Sequence, residues 1–371
     1  MKQQLPLQKA PHTILIISMR YLGDVLLTTP LIRSFKKAYP ASNIDVLVYS
    51  HTASMLEGNP DIRKVITTAQ HPNFTDTITL FKQIFRKYNL SIVTQTGDRR
   101  FLYGLISAPN RIGFVPPRPE KGWWKRFFTQ GWVEFDNIKN HTILEFLKLS
   151  SVLNIPSLYD LVPPKSENFL VPTNFNITEN YAVIHLYPQW RYKQWHYQGW
   201  IEIGEYLQSQ GLKIILSGGP GEDEKDYIHQ IQKKLPKNTL NLAGKISLAN
   251  LSHIISHAKL FIGPDTGITH LAAATGTQVI ALFGPTNPVK WAPWPIDYHL
   301  NQNPFITKGS QQVNNIYLVQ GEGEGEGEGD CVPCYEEGCD KHRLSRSECL
   351  ESLTSKKVIE YINLALKKTL P

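Results

Sequence analysis

Phe261-Ile262-Gly263-Pro264-Asp265-Thr266-Gly267-Ile268-Thr269-His270-Leu271-Ala272-Ala273-Ala274 opens a stretch, residues 261–288, whose reading decides the fold. A short apolar strand (Leu260–Ile262) runs into Asp265-Thr266-Gly267, a small-residue helix (Ile268–Thr275) follows, and a second apolar strand (Gln278–Phe283) ends in Gly284-Pro285-Thr286. A helix that begins directly after a strand presents unpaired backbone N–H groups and the positive end of its dipole. Gly and Thr at that turn make it a seat for a diphosphate, although α/β proteins also use such turns for purely structural reasons.

Working outward, strands and helices alternate on both sides. Thr13–Ser18 is a continuous apolar strand, and residues 24–39 carry Val25, Ile32, Phe35 and Tyr39 at helical spacing. Ile44–Tyr49, Lys64–Thr68 and Ser91–Gln95 read as further strands, with Ile78, Phe81, Ile84, Phe85 and Tyr88 marking one face of an amphipathic helix between the last two. A second cycle follows: strands Tyr181–Leu186, Lys213–Leu216 and Thr239–Leu242, and helices Tyr197–Gln208, Glu224–Leu235 and Leu248–His257. The order β-α-β implies parallel sheets covered on both faces. The expected fold is therefore α/β with two doubly wound, Rossmann-like halves, a ligand crevice lying at the carboxyl ends of the strands. Pro163, Pro164 and Pro172 set the boundary, giving an N-terminal domain over 1–172 and a C-terminal one over 173–350. A terminal helix over 351–371 shows Val358, Tyr361, Ile362 and Ala365 on one face and is expected to pack on the domains.

Charge divides with the halves. Residues 1–172 hold 21 basic and 12 acidic groups, net +9, and the remainder is net −2. The N-terminal half is the part expected to meet a polyanion or an anionic membrane surface. Nucleic acid is disfavoured by the lack of Lys/Arg-dense tracts. With no apolar run long enough to span a bilayer and no signal-peptide core, a cytoplasmic location is expected.

Several residues carry chemistry. Asp24 follows Arg20-Tyr21-Leu22-Gly23 at a strand-to-helix turn, where a carboxylate caps a helix or serves as a general base. Lys193 stands in the aromatic loop Tyr187–Trp195 and has the charge to neutralise a phosphate. Glu222 follows Gly218-Gly219-Pro220-Gly221, where a carboxylate accepts from ribose hydroxyls. The segment Arg111–Trp132 interleaves Arg111, Arg118, Lys121, Lys125 and Arg126 with Trp123, Trp124, Phe127 and Phe128, a composition suited to the headgroup layer of a membrane or a glycolipid headgroup, or to packing on its own domain. Cys331, Cys334, Cys339 and Cys349, spaced C-x2-C-x4-C-x9-C, are either free thiols, a redox pair or a structural zinc site. Gly321–Gly329 alternates Gly with Glu and reads as a solvated tether. There is no Asp-x-Asp, no Gly-x-Gly-x-x-Gly opening a helix, no P-loop and no Gly-x-Ser-x-Gly, which argues against metal-seated nucleotide-sugar sites, dinucleotide oxidoreductases, P-loop NTPases and nucleophile-elbow hydrolases.

Arg20 through Pro30, taken with Asp265 through Ala274, resembles glycosyltransferase family 9, the lipopolysaccharide heptosyltransferases, over nearly the whole chain. Met19–Pro30 and Asp45–Tyr49 are most similar to its heptosyltransferase III branch. The resemblance implies a GT-B fold, with the two Rossmann-like domains facing across a cleft, the acceptor on the N-terminal one and ADP-heptose on the C-terminal one. It implies inverting, metal-independent transfer of heptose from ADP-L-glycero-D-manno-heptose to the lipopolysaccharide inner core. Asp24 then matches the base; Lys193, Glu222, Asp265, Thr266, Gly267 and His270 match the donor site; Gly23, Arg20, Arg118 and Lys121 are expected to meet the acceptor. The implied partners are the core–lipid A precursor and the inner face of the cytoplasmic membrane. No cofactor is expected beyond the donor, and any zinc at the cysteines is structural. Two other readings keep the scaffold: a non-catalytic nucleotide-binding partner of the same pathway, and a nucleotide-sugar epimerase or hydrolase.

Overall fold

The computed structural model describes residues 9–118, 120–167, 177–323, 331–334 and 336–369. Most of the Gly-Glu repeat and the Pro172 end of the expected boundary lie outside them. The chain divides into two compact units, one of residues 1–164 with 299–302, the other of 165–298 with 303–371.

The first unit is built on a parallel sheet in which continuous apolar runs become central strands because both faces are covered. Its strands are β1 (Thr13–Ile17), β2 (Asn43–Tyr49), β3 (Lys64–Thr68), β4 (Leu90–Val93), β5 (Asn110–Val115) and β6 (Gly131–Glu134). They lie in the order β3-β2-β1-β4-β5-β6. Ile14, Leu15, Ile16 and Ile17 are wholly buried, worth about 1.5–3 kcal/mol each relative to exposure. The helices are α1 (Leu22–Leu27), α2 (Thr29–Ala38), α3 (Phe74–Ile84), α4 (Asp98–Ser107), α5 (Trp123–Phe127) and α6 (Thr142–Ser151). The single helix expected over 24–39 is two. Thr28 donates from Oγ1 to the Asp24 carbonyl at 2.8 Å and Pro30 brings no N–H, so the chain re-enters a helix at Thr29. The amphipathic face expected to bury Ile78, Phe81 and Phe85 does not: all three are exposed, and only Leu80 and Ile84 of α3 are buried.

The second unit repeats the plan. Its strands are β7 (Tyr181–His185), β8 (Lys213–Ser217), β9 (Leu240–Asn241), β10 (Leu260–Pro264), β11 (Val279–Phe283), β12 (Gln311–Val313) and β13 (Ile316–Gln320), ordered β12-β13-β11-β10-β7-β8-β9. Only the β12 edge is antiparallel. The helices are α7 (Tyr197–Ser209), α8 (Glu222–Gln232), α9 (Leu248–His257), α10 (Gly267–Ala274), α11 (Pro288–Trp291), α12 (Glu348–Glu351) and α13 (Ser355–Thr369). Helix α13 buries Val358, Ile362 and Ala365 in the core that also holds Trp195, Trp200 and Leu216.

Both sheets therefore share one strand order, in which the first strand of the unit is flanked by its second and its fourth. The chain reverses its direction of winding between the first and the fourth strand, and loops there diverge to leave a crevice. In the first unit this point lies between β1 and β4, in the second between β7 and β10.

Candidate active site

In the second unit the loops after β7 and β10 meet at that point. Lys193, in a single turn of 3-10 helix, places Nζ 2.6 Å from Asp265 Oδ2. Thr266 is the N-cap of α10, its hydroxyl accepting from Thr269 N at 3.4 Å, and Thr269 Oγ1 returns to the Pro264 carbonyl at 2.5 Å. These bonds fix the turn while Gly267 starts the helix. Ala272 and Ala273 are fully buried, small enough to bring α10 close against the sheet.

His270 is buried within α10, and burial pushes its pKa down to about 4, with Asp265 opposing and Lys193 assisting. Its Nδ1 makes no hydrogen bond among the described residues. The neutral imidazole thus offers a polar atom without adding charge.

The glycine loop after β8 is organised by a residue that sequence reasoning passed over. Gly219 N donates to Glu224 Oε1 at 2.7 Å, and burial raises the Glu224 pKa while that bond opposes it. Glu222, the expected ribose ligand, is 82% exposed and pairs with Lys225 at 2.8 Å. The three consecutive acids at 222–224 were visible; which one turns back to the loop depends on the rotation of α8.

The carboxyl-terminal segment buttresses the lysine loop. Ser347 Oγ donates to the Tyr192 carbonyl at 2.6 Å, Trp195 Nε1 donates to the Leu353 carbonyl at 2.8 Å, and the Arg343 guanidinium lies 4.4 Å from the Trp190 ring centroid. Gly284 belongs to this seam: a Cβ there would come within 2.5 Å of Leu350 Cγ and 3.0 Å of Cys349 Sγ. Its role is close packing of the last segment against β11.

In the first unit the loop after β1 and the loop after β4 frame a cavity of about 1010 Å³. Met19 N donates to Gln95 Oε1 at 3.1 Å, and the Met19 carbonyl accepts from Arg100 Nε at 3.1 Å and Nη2 at 2.9 Å. Arg99 and Arg100 both donate to the Tyr49 hydroxyl, at 2.9 and 3.0 Å. Arg20, Tyr21, Tyr49, His51 and Arg100 line the cavity. Adjacent arginines at the start of a helix, Arg99-Arg100, are the sequence signal for this corner of the cavity.

Asp24 is 5% exposed and is the third residue of α1; the N-cap is Tyr21, so Asp24 does not occupy the cap position. Its Oδ1 is 3.4 Å from Arg20 Nη1. Gly23 is the residue before it in the same turn of helix. Arg118 and Lys121 are exposed and are not among the cavity-lining residues. The rest of the aromatic-basic segment divides: Trp123 and Phe127 are 67% and 78% exposed, whereas Arg111, Lys125 and Trp124 are spent on internal structure. Arg111 donates to the Phe128 carbonyl at 2.6 Å and the Ala108 carbonyl at 2.7 Å; Lys125, nearly buried, pairs with Asp98 at 2.5 Å; Trp124 packs edge-on to Phe101 at 4.9 Å.

All four cysteines are free, with Cys349 buried and Cys331 and Cys339 exposed. Burial, with the three other sulfurs nearby, pushes the Cys349 thiol up to about 12. Among the described residues no group of three or more His, Cys, Asp or Glu stands in metal-holding geometry, and no helix is long and apolar enough to cross a membrane.

Two parallel α/β units that share this winding have the architecture of the GT-B fold. The chain belongs to glycosyltransferase family 9, the heptosyltransferase family, and is a glycosyltransferase. The family model matches residues 164–314. Lipopolysaccharide heptosyltransferase 3 of Escherichia coli is 31% identical over 294 residues, covering 74% of this chain and 84% of that protein. Among solved structures, the glycosyl transferase family 9 protein of Veillonella parvula is 19% identical with a TM-score of 0.75, over 96% of this chain and 97% of that one. The E. coli heptosyltransferase WaaC with ADP-2-deoxy-2-fluoro heptose is also 19% identical, with a TM-score of 0.68 over 95% of this chain and 99% of that one.

Proposed function

We propose that the chain transfers heptose from ADP-L-glycero-D-manno-heptose to a hydroxyl of the lipopolysaccharide inner core, as a heptosyltransferase III. The observation that carries this is Lys193 held against Asp265 at the mouth of α10, in a chain 31% identical to lipopolysaccharide heptosyltransferase 3. The second unit binds the donor. Lys193 and the N–H groups at Gly267 take the diphosphate, Thr266 and Asp265 hold the turn, and His270 supplies a neutral polar contact. Glu224 builds the glycine loop, which leaves solvent-facing Glu222 to accept from the ribose hydroxyls.

The first unit binds the acceptor in the cavity beside α1, with Arg20 and Gly23 next to the reacting hydroxyl and Arg118 and Lys121 further out on the glycolipid. Asp24 removes the hydroxyl proton as the oxygen attacks the anomeric carbon. The carbon–oxygen bond to the diphosphate breaks with inversion, its electron pair leaving with ADP. Charge gathering on that diphosphate is met by the lysine and the helix dipole, so no metal is required for the step.

The four cysteines do not fit the structural zinc that their spacing raised: among the described residues no group of three or more metal-ligating side chains stands together, and burial favours the protonated Cys349 thiol, so free thiols are the reading kept. Metal content below about a tenth of an equivalent is expected in protein purified without chelator, and a content near one equivalent restores the zinc. The enzyme works in the cytoplasm, peripheral on the inner face of the cytoplasmic membrane, where its glycolipid acceptor is made.

The test is ADP release from ADP-heptose with and without a core acceptor. Release only with acceptor is expected. Release without acceptor identifies an epimerase or hydrolase, and ADP binding with no release in either case identifies a silent partner.

A further inference from the structure

Helix α3 and its C-cap Phe85 leave an apolar stripe partly exposed. Phe74 is 80% exposed, Ile78 38%, and Phe81 and Phe85 42% each. Steps of four, three and four residues put these side chains on one side of the helix, about a quarter turn away from the buried Leu80 and Ile84. Phe81 and Phe85 stack at 4.6 Å between centroids.

Single exposed apolar residues are ordinary, but a row of four large ones marks an interaction surface. The polar groups beside the row point to what it meets. Lys82 is exposed on the outward side of the helix, and the Arg86 guanidinium stands 5.5 Å over the Phe85 ring. The acid of α3, Asp76, is taken up in the capping box with Asn73 at the far end. Aromatics flanked by cations, in a half of the chain carrying net +9, complement the boundary between anionic headgroups and acyl chains.

We propose that α3 is the surface by which the chain docks on an anionic lipid bilayer. Phe74, Ile78, Phe81 and Phe85 enter the headgroup–acyl boundary, and Lys82 and Arg86 meet lipid phosphates. This rests on the peripheral-membrane reading above and names the surface that performs it.

The experiment is co-sedimentation of the full chain, without donor or acceptor, with phosphatidylcholine vesicles and with vesicles also containing phosphatidylglycerol. Binding to the anionic vesicles at least about tenfold tighter than to neutral ones is expected. Phe81→Ser with Phe85→Ser is expected to weaken that binding at least about tenfold, and Lys82→Glu to remove the anionic preference. Phe74→Ser, at the most exposed position, serves as a variant that leaves the fold alone and is expected to weaken binding as well. A wild-type chain that ignores anionic vesicles, or variants that bind like wild type, overturns the proposal. So does conversion of a dimer to a monomer by Phe81→Ser with Phe85→Ser while vesicle binding stays unchanged, because the stripe is then an interface between copies. Transfer to a delipidated acceptor is measured in parallel: its absence tells against the proposed reaction, whereas vesicle binding reports on the docking surface alone.

Discussion

Lys193 Nζ and Asp265 Oδ2 stand 2.6 Å apart although 72 residues separate them in the chain. The pair ties the loop after β7 to the loop after β10, the two neighbouring strands between which the winding of the sheet reverses. Asp265 is 8% exposed, and the Lys193 ammonium is its ion-pair partner. In the proposed site a diphosphate competes with Asp265 for that ammonium. Lys193→Ala is expected to lower kcat/KM by about 10²–10³-fold, and Lys193→Arg to restore part of it. Initial rates of ADP release, with saturating acceptor, decide the matter; an unchanged rate in Lys193→Ala takes the lysine out of the donor site.

Asp24 occupies the third position of α1 beside Arg20, inside the helix and not at its N-cap, which is Tyr21, and in the proposed mechanism it is the base. Asp24→Asn keeps size and shape but accepts no proton at working pH. A fall in kcat of about 10²–10⁴-fold with little change in KM is expected. If the variant folds normally and turns over like wild type, another group must be the base.

How far these sites were legible in the sequence follows from what each depends on. The turn proposed to seat the diphosphate was readable because strand, Asp265-Thr266-Gly267 and helix are contiguous. Strand order was not readable, since periodicity does not say which strands are neighbours, and it is the order that brings Lys193 to Asp265 and Arg100 to Met19. Rotation of a helix about its axis was equally hidden. It decided that Glu224 rather than Glu222 meets Gly219, and that Phe81 faces outward while Ile84 faces in. Local polar competition also escaped the reading: Thr28 and Pro30 divide a segment whose apolar spacing looks continuous.

Asp45 shows a motif residue with a structural task. Arg63 Nε and Nη2 donate to its two oxygens at 2.8 and 2.6 Å, and the Tyr88 hydroxyl donates at 2.7 Å. The carboxylate is 2% exposed and joins β2 to β3 and to the turn before β4. Asp45→Ala leaves Arg63 and Tyr88 without their acceptor and is expected to cost about 3 kcal/mol of stability. Chemical denaturation measures this, and the folded fraction should transfer heptose at the wild-type rate.

Two buried histidines contribute to the acid side of the stability profile. His185, at the end of β7 with Nδ1 3.2 Å from Ser217 Oγ, and His270 are each held down to about 4 by burial, against 6.5 unperturbed. Below pH 6.5 the unfolded chain takes up protons that the folded chain refuses. Stability contributed by the neutral rings is therefore whole above pH 6.5 and is lost as pH falls towards 4, by about 3 kcal/mol for each. His185→Gln removes one of these groups and touches no proposed substrate contact. Its denaturation midpoint is expected to fall less steeply than that of wild type between pH 6.5 and 4, whatever its value at neutral pH. Parallel profiles for the two proteins over that range place the acid sensitivity elsewhere.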